Sequence, residues 1–289
     1  EASVQILSEK RKMSRENKAA ELLLIVIASP GRGHLLAALE MANSVIKRDH
    51  RFSVTVINPR LYSSDDDRFP PELISHVAFV SIEPPPESAD KHPLLVSASQ
   101  KENVRTEVLK IVRNSGPDRR PCGLIVDLFS SNMIDIADEI SVPSYVFYTC
   151  GASALRTVLH FQALRDSRGE DLKQNFDREI DSPSYKTPMP AKLVETIFSQ
   201  GDADMFLDQY KRFRESRGIL VNSVPEFESH ALNSFASDGT IPPVLPVGPV
   251  IHMEGETEKN CHYDDVMTWL DEQPESSVVF LCFGSAGWF

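Results

Sequence analysis

The chain has 289 residues, 41% of them hydrophobic, enough for one large domain or two modest ones with a substantial core. Its formal net charge of -12 argues against a basic nucleic-acid-binding surface and against adhesion to an anionic membrane. No apolar run approaches the roughly 20 residues that cross a bilayer. Cys122, Cys150, Cys261 and Cys282 include no C-x-x-C pair, so they read as free thiols of a reducing, cytoplasmic compartment rather than as zinc ligands.

Residues 1–20 form a polar leader, in which Met13 reads as the natural start and Glu1–Lys12 as upstream sequence. Leu22–Ala28 is a short continuous apolar run. Basic residues precede it, as in a secretory signal, but Glu21 interrupts that flank and a glycine-rich turn follows, so it reads as a retained strand. After the turn Ser29-Pro30-Gly31-Arg32-Gly33-His34, the residues Leu35, Leu39, Ala42 and Ile46 recur at helical spacing.

Phe52–Val56 alternates as a second strand and Val77–Ile82 is a third, before a loop opened by Pro84-Pro85-Pro86. Val96–Val112 reads as one helix, stopped by Gly116-Pro117. Gly123–Val126 is an apolar strand ending at Asp127, and Met133, Ile136, Ala137 and Ile140 form the apolar stripe of the helix after it. Ser144–Tyr148 is another strand and Gly151–Arg165 another helix. This β-α-β punctuation predicts an α/β fold, a parallel sheet with helices on both faces.

Order weakens from Asp166 to Phe198, a proline-rich surface connection. It resumes with a helix at Met205–Arg214, a strand at Gly218–Asn222 and a helix after Pro225. Ile241–Val250, with four prolines, closes the first compact unit. A charged linker, Glu254–Asp265, leads to a short helix at Met267–Asp271 and a strand at Ser277–Phe283, which runs into the turn Gly284-Ser285-Ala286-Gly287.

Two residues stand out chemically. His34 opens a helix, whose unpaired N–H groups and partial positive charge suit a phosphate and discourage protonation of the imidazole. A neutral histidine there can act as a base. Asp127 ends a strand, where doubly wound sheets place ligand-binding residues; Ser130 or Ser131 is expected to cap the next helix and leave Asp127 for other work. If the sheet forms as read, both occupy one edge, and a carboxylate on one ring nitrogen would fix the tautomer of a general base. Other motifs fail. The turn lacks the Lys-Ser/Thr of a phosphate loop, and Leu36 stands where a dinucleotide fingerprint needs its third glycine. No Gly-x-Ser-x-Gly elbow occurs, and the other seven histidines show no metal-ligand clustering.

Taken in order, several stretches resemble the plant family 1 UDP-sugar-dependent glycosyltransferases. They are Ser29–His34, Leu124–Phe129, Tyr148-Thr149-Cys150-Gly151-Ala152, Gly218–Ser223 with Glu226-Phe227-Glu228, Pro246–Val250, Trp269-Leu270-Asp271 and Ser277–Gly287. The resemblance runs from about Glu21 to the last residue. It implies the two-domain GT-B fold, with a Rossmann-like, acceptor-binding N-terminal domain over 21–248, a linker over 249–276, and the first strand and turn of a UDP-sugar-binding domain over 277–289.

It also implies transfer of a sugar, glucose by default, from a UDP-sugar to a hydroxyl of a small lipophilic plant metabolite, with inversion. His34 would be the acceptor-binding base, Asp127 its partner, and Gly33, Thr149 and Ser285 the UDP-sugar-binding residues. No metal or other cofactor is implied, nor any nucleic acid, membrane insertion or obligate protein partner. The signature that holds the nucleotide sugar would lie beyond Phe289, so the chain alone is expected to transfer little. The alternative is a non-catalytic acceptor-binding module.

Overall fold

The computed structural model describes residues 21–61, 69, 71–86, 93–169, 177–195, 203–251 and 262–281. Contacts divide the chain into two compact units, residues 1–252 and 253–289.

The first unit is built on a seven-stranded sheet: β1 (Glu21–Ile27), β2 (Phe52–Pro59), β3 (Ala78–Ile82), β4 (Arg119–Asp127), β5 (Ser144–Tyr148), β6 (Gly218–Val221) and β7 (Val244–Pro246). The order is β3-β2-β1-β4-β5-β6-β7, and every adjacent pair is parallel. This is the Rossmann-like α/β architecture.

The continuous apolar run of β1 follows from burial on both faces. Leu23, Ile25 and Ile27 pack with Val104, Val108, Leu155 and Leu159 on one side. Leu24, Val26 and Ala28 pack with Leu35, Ala38, Leu39 and Ala42 on the other. Those partners come from α1 (Arg32–Arg48), from α3 (Lys101–Asn114), which follows the short α2 (Pro93–Ser99), and from α4 (Ala152–Arg168). α5 (Ala203–Arg212) and α6 (Pro225–Ser234) pack against α4. Each fully buried aliphatic side chain contributes about 1.5–3 kcal/mol to the gross hydrophobic term.

In the first unit the structure departs from the local pattern at several places. The single helix expected at Val96–Val112 is two, parted at the fully buried Gln100, whose side-chain amide donates to the Arg60 carbonyl (2.7 Å). After Asp127 the chain forms a 3₁₀ turn, Leu128–Met133, and a four-residue helical turn, Ile136–Glu139, not one amphipathic helix. Neither serine caps it: Ser130 Oγ donates to the Ala28 carbonyl, and Ser131 Oγ bonds the Gln209 carbonyl and side-chain oxygens. β4 starts at Arg119 rather than Gly123, its polar first half pairing with the start of β1. β7 lies inside the proline-rich stretch Ile241–Val250, to which the sequence pattern assigns no strand; proline is tolerated on an edge strand.

Of the second unit, α7 (Tyr263–Asp271) is longer than the helix expected at Met267–Asp271. Residues 277–281 form no strand and are exposed, contrary to the strand expected at Ser277–Phe283. A strand needs a neighbour for its backbone groups, and none of the described strands pairs with this segment. Ser285 lies outside the described residues, as do Cys261 and Cys282.

Candidate functional site at the switch point of the sheet

The strand order reverses direction between β1 and β4. The chain leaving β1 enters α1 on one face, while the segment after β4 packs into the core of the other. A crevice outside the carboxyl ends of two such strands is where doubly wound folds bind ligands. His34 follows β1 and Asp127 ends β4, so both flank that crevice.

The route from β1 into α1 depends on Gly31, whose φ of 110° is rarely open to residues with a side chain. Its carbonyl accepts the first helical bond, from the Leu35 N–H (3.1 Å). His34 is therefore the third residue of α1, with its side chain about one-quarter exposed, while Asp127 is 1% exposed. The His34 Nδ1 lies 3.1 Å from Asp127 Oδ1 and 3.3 Å from Oδ2. Thr149, just past β5, brings its Oγ1 to 3.4 Å from the same nitrogen. The Phe129 ring meets the imidazole edge-on, with centroids 5.2 Å apart. Gly33 precedes His34 in the first turn, where an added Cβ would meet nothing within 4 Å.

The protonation of His34 departs from the sequence expectation. Burial pushes its pKa down, but the hydrogen bond and charge of Asp127 outweigh burial and raise it above the ordinary histidine value. A full negative charge 3.1 Å away overrides the partial charges of a helix start. The imidazole is thus a stronger base than a free histidine, not one biased to stay neutral. With Nδ1 turned to the carboxylate, Nε2 is the nitrogen left to face a ligand.

Three supporting residues were not singled out as functional from the sequence. Ser29 Oγ donates to Asp127 Oδ1 and accepts from the Phe129 N–H (3.0 Å). Glu228 reaches from α6 to the start of α4, accepting from the backbone N–H groups of Ala152 (2.7 Å) and Ser153 (2.9 Å) and from the Ser223 hydroxyl. It satisfies orphan donors of a helix that begins three residues after Thr149. Asn222 donates to the Thr149 carbonyl (3.3 Å) and accepts from the Val250 N–H (2.7 Å). All three fall in stretches that carried the family resemblance, which was their available signal.

Among the described residues, no group of three or more His, Cys, Asp or Glu side chains could hold a metal ion, and no helix is long and apolar enough to cross a membrane. Cys122 is half-buried and Cys150 exposed, both as free thiols.

No protein-family model matches the chain. It is 40% identical to UDP-glycosyltransferase 71E1 of Stevia rebaudiana over 92% of this chain and 58% of that protein. It is 36% identical to UDP-glucose flavonoid 3-O-glucosyltransferase 6 of Fragaria ananassa over 94% of this chain and 60% of the relative. A UGT transferase of Siraitia grosvenorii, solved in complex with UDP, superposes with a TM-score of 0.76 at 36% identity, over 92% of this chain and 59% of the other. Medicago truncatula UGT71G1, complexed with UDP-glucose, gives 0.74 at 28% identity, over 94% and 61%. The chain thus spans about three-fifths of the length of the relatives it matches.

Proposed function

We propose, from the homology of this chain to plant UDP-glycosyltransferases over nine-tenths of its length, that it supplies the acceptor-activating part of a UDP-sugar-dependent glycosyltransferase. The observation that carries the reading is the pairing of His34 Nδ1 with the buried Asp127 carboxylate at the sheet's switch point. The substrates in view are a small phenolic or alcoholic acceptor and a UDP-sugar, with glucose the first choice because one relative is named for UDP-glucose and another was solved in complex with it.

In this reading the acceptor hydroxyl lies against His34 Nε2. The imidazole takes its proton as the acceptor oxygen attacks the anomeric carbon, and the bond from that carbon to UDP breaks on the opposite face. UDP leaves with the bonding electrons, and the anomeric configuration inverts. Asp127 holds the Nδ1–H tautomer and stabilises the imidazolium that forms. General-base action of this kind contributes about 10²–10⁴-fold. Thr149, 3.4 Å from the imidazole, is near enough to meet the sugar, and Gly33 lies in the first turn of α1, where helix N–H groups suit an anion.

No metal enters this scheme; the leaving diphosphate would be stabilised by polar donors and helix starts. Residues 21–248 would hold the acceptor, residues 249–276 would link, and residues 277–289 would begin the nucleotide-sugar side, with Ser285 near the diphosphate. Because the chain spans only about three-fifths of its relatives, it is expected by itself to bind acceptor and transfer little sugar.

Titration of the chain with a flavonol, followed by addition of UDP-glucose with UDP release monitored, tests this. Flavonol binding that weakens or changes with His34→Ala supports the reading. Failure of every phenolic acceptor to bind overturns it, and rapid UDP release by the chain alone overturns the division of labour between its parts.

A further inference from the structure

The end of β1 and the end of β4 are tied together by two serine hydroxyls pointing in opposite directions. Ser130, beyond β4, donates to the Ala28 carbonyl (3.0 Å). Ser29, beyond β1, donates to Asp127 Oδ1 and accepts the Phe129 N–H (3.0 Å). Ser29 is fully buried, and Pro30 after it disfavours a helical backbone at Ser29.

A carboxylate has no staggered well to fix its plane; the torsion that turns it is broad and two-fold. At Asp127 the plane decides whether an oxygen faces His34 Nδ1. The 1% exposure of Asp127 leaves the choice to protein groups rather than to water. Oδ1 is the oxygen nearer to the imidazole, at 3.1 Å, and it is also the one that takes the Ser29 hydroxyl. The Phe129 N–H in turn orients that hydroxyl, because its hydrogen bond occupies a lone pair of Oγ and directs the O–H elsewhere.

We propose that Ser29 is a positioning residue, which locks the rotation of the Asp127 carboxylate and thereby aims it at His34. Its meaning for sugar transfer rests on His34 being the base, but the lock itself is a property of the folded chain and can be read without turnover.

The probe is the His34 imidazole, followed by NMR titration in the chain and in Ser29→Ala, Ser29→Thr, Asp127→Asn and Ser29→Ala/Asp127→Asn. The polar groups that meet it are Asp127 from β4 and Thr149 from the exit of β5; Cys150 follows Thr149 in the chain, and Arg32, two residues before His34 on α1, holds its guanidinium over the Phe69 ring. Ser29→Ala should move the His34 midpoint downward, in the direction of Asp127→Asn but less far. Ser29→Thr, which keeps the hydroxyl, should restore it. The double variant should titrate like Asp127→Asn alone, since a lock with nothing to hold has no further effect.

A purely structural serine predicts otherwise: lower stability with the His34 midpoint unmoved, or a shift that persists undiminished once Asp127 is asparagine. Either result overturns the proposal. If Ser29→Ala does not fold, Ser29→Cys, with a weak donor in place of the hydroxyl, serves in its place; a midpoint equal to that of the unmodified chain would likewise overturn it. A confirmed lock with no flavonol binding would leave Ser29 as assigned while removing the transferase reading.

Discussion

Gly151 and Glu228 approach so closely that a Cβ on Gly151 would stand 2.8 Å from a Glu228 carboxylate oxygen. The carboxylate fills the space a side chain would need because it bonds the first N–H groups of α4. Gly151→Ala should therefore displace it and cost about 1–2 kcal/mol, the scale of a lost helix cap. Glu228→Ala should cost a similar amount, and the two losses should not add, because each removes the same contact. Urea unfolding of the two single variants and the double variant checks this.

Glu228 also gives stability an acid limit. Burial works to raise its pKa, but the Ser223 hydroxyl and the N–H groups of Ser153 and Ala152 prevail and hold it below the ordinary glutamate value. A depressed carboxylate contributes stability that is complete above its unfolded value and lost as pH falls through the folded one. The chain should lose stability faster below about pH 4.5 than its Glu228→Gln variant does, by thermal melts across pH.

The His34–Asp127 pair has the opposite sign. A raised histidine pKa contributes stability that is complete below the unfolded value of about 6.5 and lost as pH rises through the folded one. Asp127→Asn removes both the hydrogen-bonded charge and this contribution, so the His34 midpoint should fall and the slope of stability against pH above neutrality should flatten. In a full-length transferase built on this chain, the acid limb of kcat/KM should move to lower pH in Asp127→Asn while the plateau drops. His34→Ala should abolish the limb and cost about 10²–10⁴-fold.

Asn222 and Gly248 form a second tight approach. A Cβ on Gly248 would lie 2.6 Å from Asn222 Oδ1 and 2.7 Å from the Ser223 backbone nitrogen. Part of that obstacle is main chain and cannot swing aside, so Gly248→Ala should cost about 1–3 kcal/mol. Asn222→Asp keeps the oxygen that accepts from Val250 but loses the donor to the Thr149 carbonyl, and should cost about 1 kcal/mol. Denaturant midpoints separate the two.

The middle of the sheet was legible because its strands are buried on both faces, which leaves continuous apolar runs such as Leu22–Ala28 and Leu124–Val126. The joint position of His34 and Asp127 followed from topology: in a parallel sheet the residue after one strand and the last of its neighbour share an edge. What stayed hidden depended on partners far away in sequence. Gln100, between two helices, bonds the Arg60 carbonyl, Ser130 and Ser131 bond to Ala28 and Gln209 instead of capping, and Glu228 serves a helix other than its own. The basicity of His34 was misjudged for the same reason. The helix start is a local feature, while the carboxylate that outweighs it comes from 93 residues away.

The outermost strand, β7, has a consequence for how molecules of this protein meet one another. The Pro243 carbonyl and the Val247 N–H are spent inward on β6, so the alternation of a strand turns the backbone of Pro246 toward the open side. Proline offers no N–H there, and a strand from a second molecule seeking to extend the sheet would find a donor missing at that step. The proline of this strand thus guards the sheet's rim against intermolecular growth.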